Sequence, residues 1–246
     1  TGKTTAFKII IESPEYKDKN ILILSFIKKL VGELKNDFKD FKNVSVLTLH
    51  QFAKQKIEGN KEEIDLDPEL DKIISEDLFL LEGKKIDYET SFYENNLSPD
   101  ELSFYKSRKS FYKHKNEIYS FNSIVYAVNL IFKQEKYIPK YDLILIDEFQ
   151  DFNKCEYELI RFLGTQIRMV LVGDDNQALY EDFRKARPEQ IRNLYKDIKN
   201  DNFCIDYCYR CTQVIVNAAS ELITNAKKIG YLRDYLEKKF LYPAND

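Results

Sequence analysis

Three short stretches of this sequence carry side chains suited to handling a phosphate. The first is Gly2-Lys3-Thr4-Thr5, which has the form of the last part of a phosphate-binding loop, G-x-x-x-x-G-K-[ST]. The second is Asp147-Glu148, with Gln150 and Asp151 just beyond, at the end of the apolar run Leu143-Ile144-Leu145-Ile146. The third is Gly173-Asp174-Asp175-Asn176-Gln177, which follows Met169 to Val172. A lysine neutralises charge on β- and γ-phosphates, and a threonine hydroxyl with a strand-end aspartate can hold Mg²⁺. A neighbouring glutamate can orient and deprotonate an attacking water, and Gln177 could place its amide near a terminal phosphate.

Each stretch alone has a plainer reading. A Gly-Lys-Thr at a chain end can be chance, and acids often solvate the end of a strand. A Gly-Asp turn commonly links a strand to a helix. Taken together, the three supply what phosphoryl transfer to water requires.

The elements that must position these groups are legible as patterns. Ile21 to Leu24 is a continuous apolar run, the mark of a strand covered on both faces. Phe26, Leu30, Leu34 and Phe38 then recur at helical spacing, and Val44 to Leu47 reads as a second strand. From about Ile57 to Pro139 the strand signal vanishes. A seven-residue repeat of Phe104, Phe111, Ile118 and Val125 runs there, shadowed by Tyr105, Tyr112, Tyr119 and Tyr126. It predicts one or two long amphipathic helices. Strand and helix alternate again from Tyr141, with a helix through Cys155, Leu159 and Leu163, and a strand over Met169 to Val172. A helix along Val214, Ala218, Leu222 and Ala226 follows, with Thr212 as its N-cap. Such alternation predicts an α/β fold with a mostly parallel sheet flanked by helices, interrupted by a helical insertion.

Composition narrows the class. The chain has 246 residues, ample for a large core, and a formal net charge of −3, which argues against a simple basic nucleic-acid module. Four cysteines make no disulfide framework, and no run approaches the roughly 20 apolar residues that cross a bilayer. A cytoplasmic protein with no membrane partner is expected. The start at Thr1 points to a piece of something longer.

The ordered motifs resemble those of the UvrD/Rep-type superfamily 1A DNA helicases. DEFQD, VGDDNQALY and Tyr209-Arg210 resemble motifs II, III and IV, while ILSFIKKLVGEL and VLTLHQFA resemble motifs Ia and Ib. The resemblance implies a RecA-like P-loop NTPase domain, subdomain 1A, over residues 1–56 and 140–230. It implies a helical insertion like subdomain 1B over 57–139, and a connection over 231–246 towards 2A and 2B domains outside this chain. The front of the P-loop is expected ahead of residue 1.

The same resemblance assigns roles. Glu148 would be the catalytic base, with Gln177 and Arg210 reaching the γ-phosphate. Gly2, Lys3, Thr4, Thr5, Tyr209 and Arg210 would bind ATP, with Tyr209 stacking on its base. Thr4 and Asp147 would hold Mg²⁺. Phe26, Thr48, His50, Tyr180, Phe183 and Arg184 would contact single-stranded DNA, or its junction with duplex. The implied function is ATP-driven movement on single-stranded DNA, 3′ to 5′. Alternatives are a non-unwinding regulatory or defence ATPase, with or without a fused nuclease, and a nucleic-acid-binding module with a disabled ATP site.

Some residues resist the pattern. The family usually continues Tyr-x-aromatic-Arg-Gly-Ala after motif III, whereas here Tyr180 to Ala186 has one extra residue and Lys185 for glycine. That puts the roles of Phe183 and Arg184 in question. For Phe26 the plainer reading is core packing, and for His50 a satisfied buried histidine. Cys204, Cys208 and Cys211 have a C-x₃-C-x₂-C spacing that can ligate an iron–sulfur cluster, although Cys208 and Cys211 flank motif IV as small substitutes. Lys106, Arg108, Lys109, Lys113 and Lys115 form either a strand-contacting surface or a solvated helix face.

Overall fold

The computed structural model describes residues 2–59, 63–134, 140–178, 180–232 and 235–236. Thr1 and most of the expected connection over 231–246 lie outside them.

The main sheet has four parallel strands in the order β2-β1-β5-β6: β1 (Ile21–Ser25), β2 (Val44–Thr48), β5 (Leu143–Ile146) and β6 (Arg168–Leu171). Between β1 and β5 the strand order reverses. Ligands of such sheets bind at that switch point, beyond the strands' carboxyl ends. Every residue of β1 and β5 is buried, which explains their unbroken apolar runs. Successive side chains still alternate between faces. Leu22, Leu24, Ile144 and Ile146 join one core, and Ile21, Ile23, Leu143 and Leu145 join the other.

The second face is covered by α1 (Lys3–Glu12) through Phe7 and Ile11, and by α2 (Lys28–Asp37) through Val31 and Leu34. The first face is covered by α3 (Leu49–Glu58), whose Thr48-Gln51 capping box sets its start directly after β2. Burial of each large side chain there contributes about 1.5–3 kcal/mol.

Between α3 and β5 lie β3 (Ile64–Leu66), α4 (Leu70–Glu82), α5 (Tyr88–Tyr93), α6 (Pro99–Tyr112), β4 (Glu117–Tyr119) and α7 (Phe121–Gln134). The expectation of helix alone in this stretch is corrected. β3 and β4 pair in parallel, and β4 interrupts the seven-residue repeat. Three-residue strands are too short for period-2 alternation to stand out against a heptad rhythm. Leu70, Ile74, Leu78, Tyr88, Phe92 and Tyr105 make a separate core. Phe111 of the repeat is exposed. α7 falls inside 57–139, yet its Ile124, Val125, Val128 and Phe132 join the sheet's first core.

Beyond β5, α8 (Lys154–Gly164) starts at an Asn153-Glu156 capping box and buries Leu159, Ile160 and Leu163. The short α9 (Glu181–Arg184) and α10 (Glu189–Lys196) follow β6, and α11 (Gln213–Lys228) comes last. Thr212 occupies the N-cap position of α11 without a side-chain cap bond. Three of the five basic residues of the insertion are tied up internally. Arg108 bonds Asp77 at 2.8 Å, while Lys109 and Lys113 meet Glu117 at 3.2 and 2.6 Å.

Candidate functional site

The carboxyl edge of the sheet gathers one ammonium and two carboxylates. Gly2 adopts φ 73°, a left-handed turn that glycine takes without steric cost, and starts α1. That turn brings Lys3 Nζ to 2.6 Å from Glu148 Oε1 and 3.7 Å from Asp147 Oδ1. Asp147 sits where β5 ends, its N–H donating to Leu24 O of β1 at 2.9 Å. Glu148 is held at φ 51°, ψ 46°, unusual for a residue with a side chain and a form of strain that clusters at functional sites.

Gln150 and Gly173 hold this edge in place. Buried Gln150 donates through Nε2 to Glu148 Oε2 at 3.0 Å and accepts the Asp174 N–H at 2.9 Å. One amide thus ties the Asp-Glu strand end to the Gly-Asp strand end. Gly173 permits that approach, since a Cβ there would meet Gln150 Oε1 at 2.7 Å and Ile191 Cδ1 at 2.8 Å. The presence of a glutamine and a glycine was visible in sequence, but their meeting depends on β5 and β6 being neighbours.

The remaining nucleotide candidates lie around this centre. Thr4 is half-buried and Thr5 exposed in the first turn of α1. Gln177 is exposed and donates to Asp174 Oδ2 at 2.7 Å. Tyr209 and Arg210 are exposed on the bend before α11, with no bond to Lys3, Asp147 or Glu148 among the described residues. Their segment does pass the start of α1, where Ile205 is the nearest side chain to Gly2.

A second cluster forms from the strand-track candidates. The Arg184 guanidinium lies over the Phe26 ring at 4.1 Å, and the Tyr180 ring is 5.3 Å from Phe26. Arg184 Nη2 donates to Glu156 Oε1 at 3.0 Å, and His50 Nε2 stands 3.7 Å from the same oxygen. Glu156, unremarked in sequence, is almost fully buried, and its capping role in α8 fixes it between the two. Burial lowers the His50 pKa; Glu156 opposes the shift and Arg184 adds to it, so the imidazole is neutral at pH 7. Thr48 Oγ1 accepts the Gln51 N–H as the cap of α3. Phe183 is 84% exposed, apart from this stack. Lys185 takes the left-handed conformation, φ 51°.

The electrostatics at the sheet edge leave room for a further cation. Burial raises the Asp147 pKa; Lys3 pulls it down and Glu148 pushes it up again. Asp151, also buried, has its carboxyl pushed up to about 7 by burial and by the Glu148 charge. Ser25 Oγ is buried with no hydrogen-bond partner among the described residues. Hard carboxylate oxygens beside an ammonium fit a Mg²⁺–phosphate pair. No three His, Cys, Asp or Glu side chains converge as a metal cage among the described residues, the three cysteines Cys204, Cys208 and Cys211 included.

Residues 87–199 match the UvrD/REP helicase N-terminal domain. DNA helicase II of Haemophilus influenzae is 40% identical over 92 residues, covering 37% of this chain and 12% of that protein. A probable DNA helicase II homolog of Mycoplasma pneumoniae is 28% identical over 276 aligned positions, covering 91% of this chain and 38% of that protein. The ATP-dependent DNA helicase PcrA of Staphylococcus aureus is 37% identical over 93 residues, 37% of this chain and 13% of that protein. The chain thus spans at most 38% of the length of these relatives. Among the described residues no helix is long and apolar enough to cross a membrane.

Proposed function

We propose that this chain, a member of the UvrD-like superfamily 1A helicases, is the ATP-binding core of a cytoplasmic ATP-dependent DNA helicase or translocase. The core comprises subdomain 1A over 1–56 and 140–230 and a 1B-like insertion over 57–139, with 231–246 leading towards 2A and 2B domains. It moves on single-stranded DNA, 3′ to 5′. The observation that carries this reading is the contact of Lys3 with Glu148 and Asp147 at the switch point of the sheet.

The residues divide the work. Lys3 transfers its charge from Glu148 to the β- and γ-phosphates when ATP enters, which frees Glu148 to orient and deprotonate the attacking water. Gln150 holds Glu148 from behind. Asp147 and Thr4 would hold Mg²⁺, which neutralises phosphate charge when bound. Gln177 and Arg210 approach the γ-phosphate, and Tyr209 stacks on the base. On the other side, Phe26, Tyr180, Phe183 and Arg184 face the strand, with Thr48 and His50 supporting them.

The test is ATP turnover of the full-length protein with and without single-stranded DNA. Lys3→Ala and Glu148→Gln each lower it by about 10²-fold or more, the scale of losing one preorganised transition-state contact. Turnover unchanged in both variants would sink the assignment.

A further inference from the structure

Arg184 is the one arginine among the strand-track candidates, and its charge is already answered inside the protein. Its guanidinium lies over the Phe26 ring at 4.1 Å, with the Tyr93 ring at 5.9 Å, and its Nη2 donates to Glu156 Oε1 at 3.0 Å. The Arg184 side chain is 21% exposed and that of Glu156 only 2%. The carboxylate cannot turn away. Glu156 Oε2 accepts the Asn153 N–H at 3.0 Å, the return half of the capping box that starts α8. His50 Nε2 stands 3.7 Å from the same Oε1, but burial keeps that imidazole neutral, so it adds no second cation. One buried carboxylate therefore faces one guanidinium, and together they carry no net charge.

We propose that Glu156 is a positioning residue of the strand site: it cancels the Arg184 charge and holds the guanidinium over Phe26, so that Arg184 meets a nucleic-acid strand as part of a stacking surface and not as a phosphate contact. This rests on the reading of Phe26, Tyr180 and Arg184 as strand contacts. A guanidinium can stack and pair with a carboxylate at once, and Tyr180 extends the surface with its ring 5.3 Å from Phe26. The two modes of contact leave different marks on binding. Neutralising a phosphate releases counterions, and for a single strand each such contact adds about 0.7 to the steepness with which log affinity falls against log salt. Stacking on a neutral surface adds nothing to that slope. Paired with Glu156, Arg184 is silent in it. Released from Glu156, the same guanidinium becomes a cation beside Phe26 and gains a full contact.

The experiment measures binding of a labelled oligothymidylate to the full-length protein, without nucleotide, across a series of KCl concentrations. Glu156→Gln removes the charge but keeps a side chain able to close the capping box of α8. It is expected to steepen the salt slope by about 0.7 and to tighten binding at low salt. Adding Arg184→Gln restores a pair without net charge. That double variant should return to the wild-type slope, with weaker binding at every salt concentration because the stacked guanidinium is gone. A damaged fold would not imitate this pattern, since the single variant gains a phosphate contact. The proposal is overturned if Glu156→Gln leaves the slope unchanged, or if the double variant stays as steep as the single one. It is equally overturned if the double variant falls about 0.7 below the wild type, because Arg184 would then already hold a phosphate in the native protein. A wild-type protein that holds no oligonucleotide at any salt concentration would count against the strand reading itself, and the role of Glu156 would fall with it.

Discussion

Arg184 lies over the ring of Phe26 at 4.1 Å while its Nη2 bonds the buried carboxylate of Glu156 at 3.0 Å. A guanidinium suits this position because it stacks and pairs at once. Removing it leaves Glu156 buried beside a neutral histidine. Arg184→Ala should therefore lower stability by about 1–3 kcal/mol in urea denaturation, and Glu156→Gln in the same chain should recover part of it. The pKa of His50 should rise in Arg184→Ala, since Arg184 is one of the groups holding it down. With only two histidines, an NMR titration reads this directly, and an unmoved His50 would contradict the shared-carboxylate geometry.

Gly173 should tolerate no side chain. In Gly173→Ala the added Cβ meets the Gln150 amide oxygen at 2.7 Å and Ile191 at 2.8 Å, so one of them must shift. A loss of about 1–3 kcal/mol is expected, typical of overpacking. Gln150→Ala should relieve part of the clash in the double variant while lowering turnover through Glu148. Additive stabilities would show that the two positions do not meet.

Asp151 makes stability depend on pH. Its folded pKa, about 7, lies above the ordinary carboxylate value of 3.8, so the folded chain binds the proton more tightly than the unfolded one. The contribution is fully present below pH ~4 and is lost as pH rises through 7. Asp151→Asn removes the ionised form. It should stabilise the protein by about 1–3 kcal/mol at pH 8 and change little near pH 4, read from paired denaturation curves. An equal effect at both pH values would refute the shift.

Lys185 sits at φ 51°, ψ 38°, where L-residues with side chains are disfavoured by about 1–2 kcal/mol. Lys185→Gly should therefore stabilise the chain by about 0.5–1 kcal/mol, after glycine's larger entropy loss. A destabilised glycine variant would mean that the lysine side chain makes contacts that outweigh its backbone strain.

Several of the candidate site residues carry a local signal along the chain. Asp147, Glu148 and Gln177 stand out because strand ends are local, an apolar run and then a polar cluster within ten residues, and Lys3 stands out by its Gly-Lys-Thr setting. The shape of the insertion was less legible, because β3 and β4 are three residues each and pair across the helices between them. Gln150, Gly173 and Glu156 lie in or near recognisable local patterns, but their tie to Asp174, their close approach and their pairing with Arg184 and His50 join other strands and helices.

Local patterning by itself determined the parallel sheet, the helix on each side of it and the two strand ends where acids and amides gather. Periodicity and burial are short-range properties, so they survive in one dimension. Only the tertiary structure decided that β1 and β5 are neighbours, that Lys3 reaches Glu148, and that Phe26, Arg184, Glu156 and His50 form one cluster. Those contacts join residues far apart in the chain. They are fixed by strand order and helix packing, which no single stretch encodes.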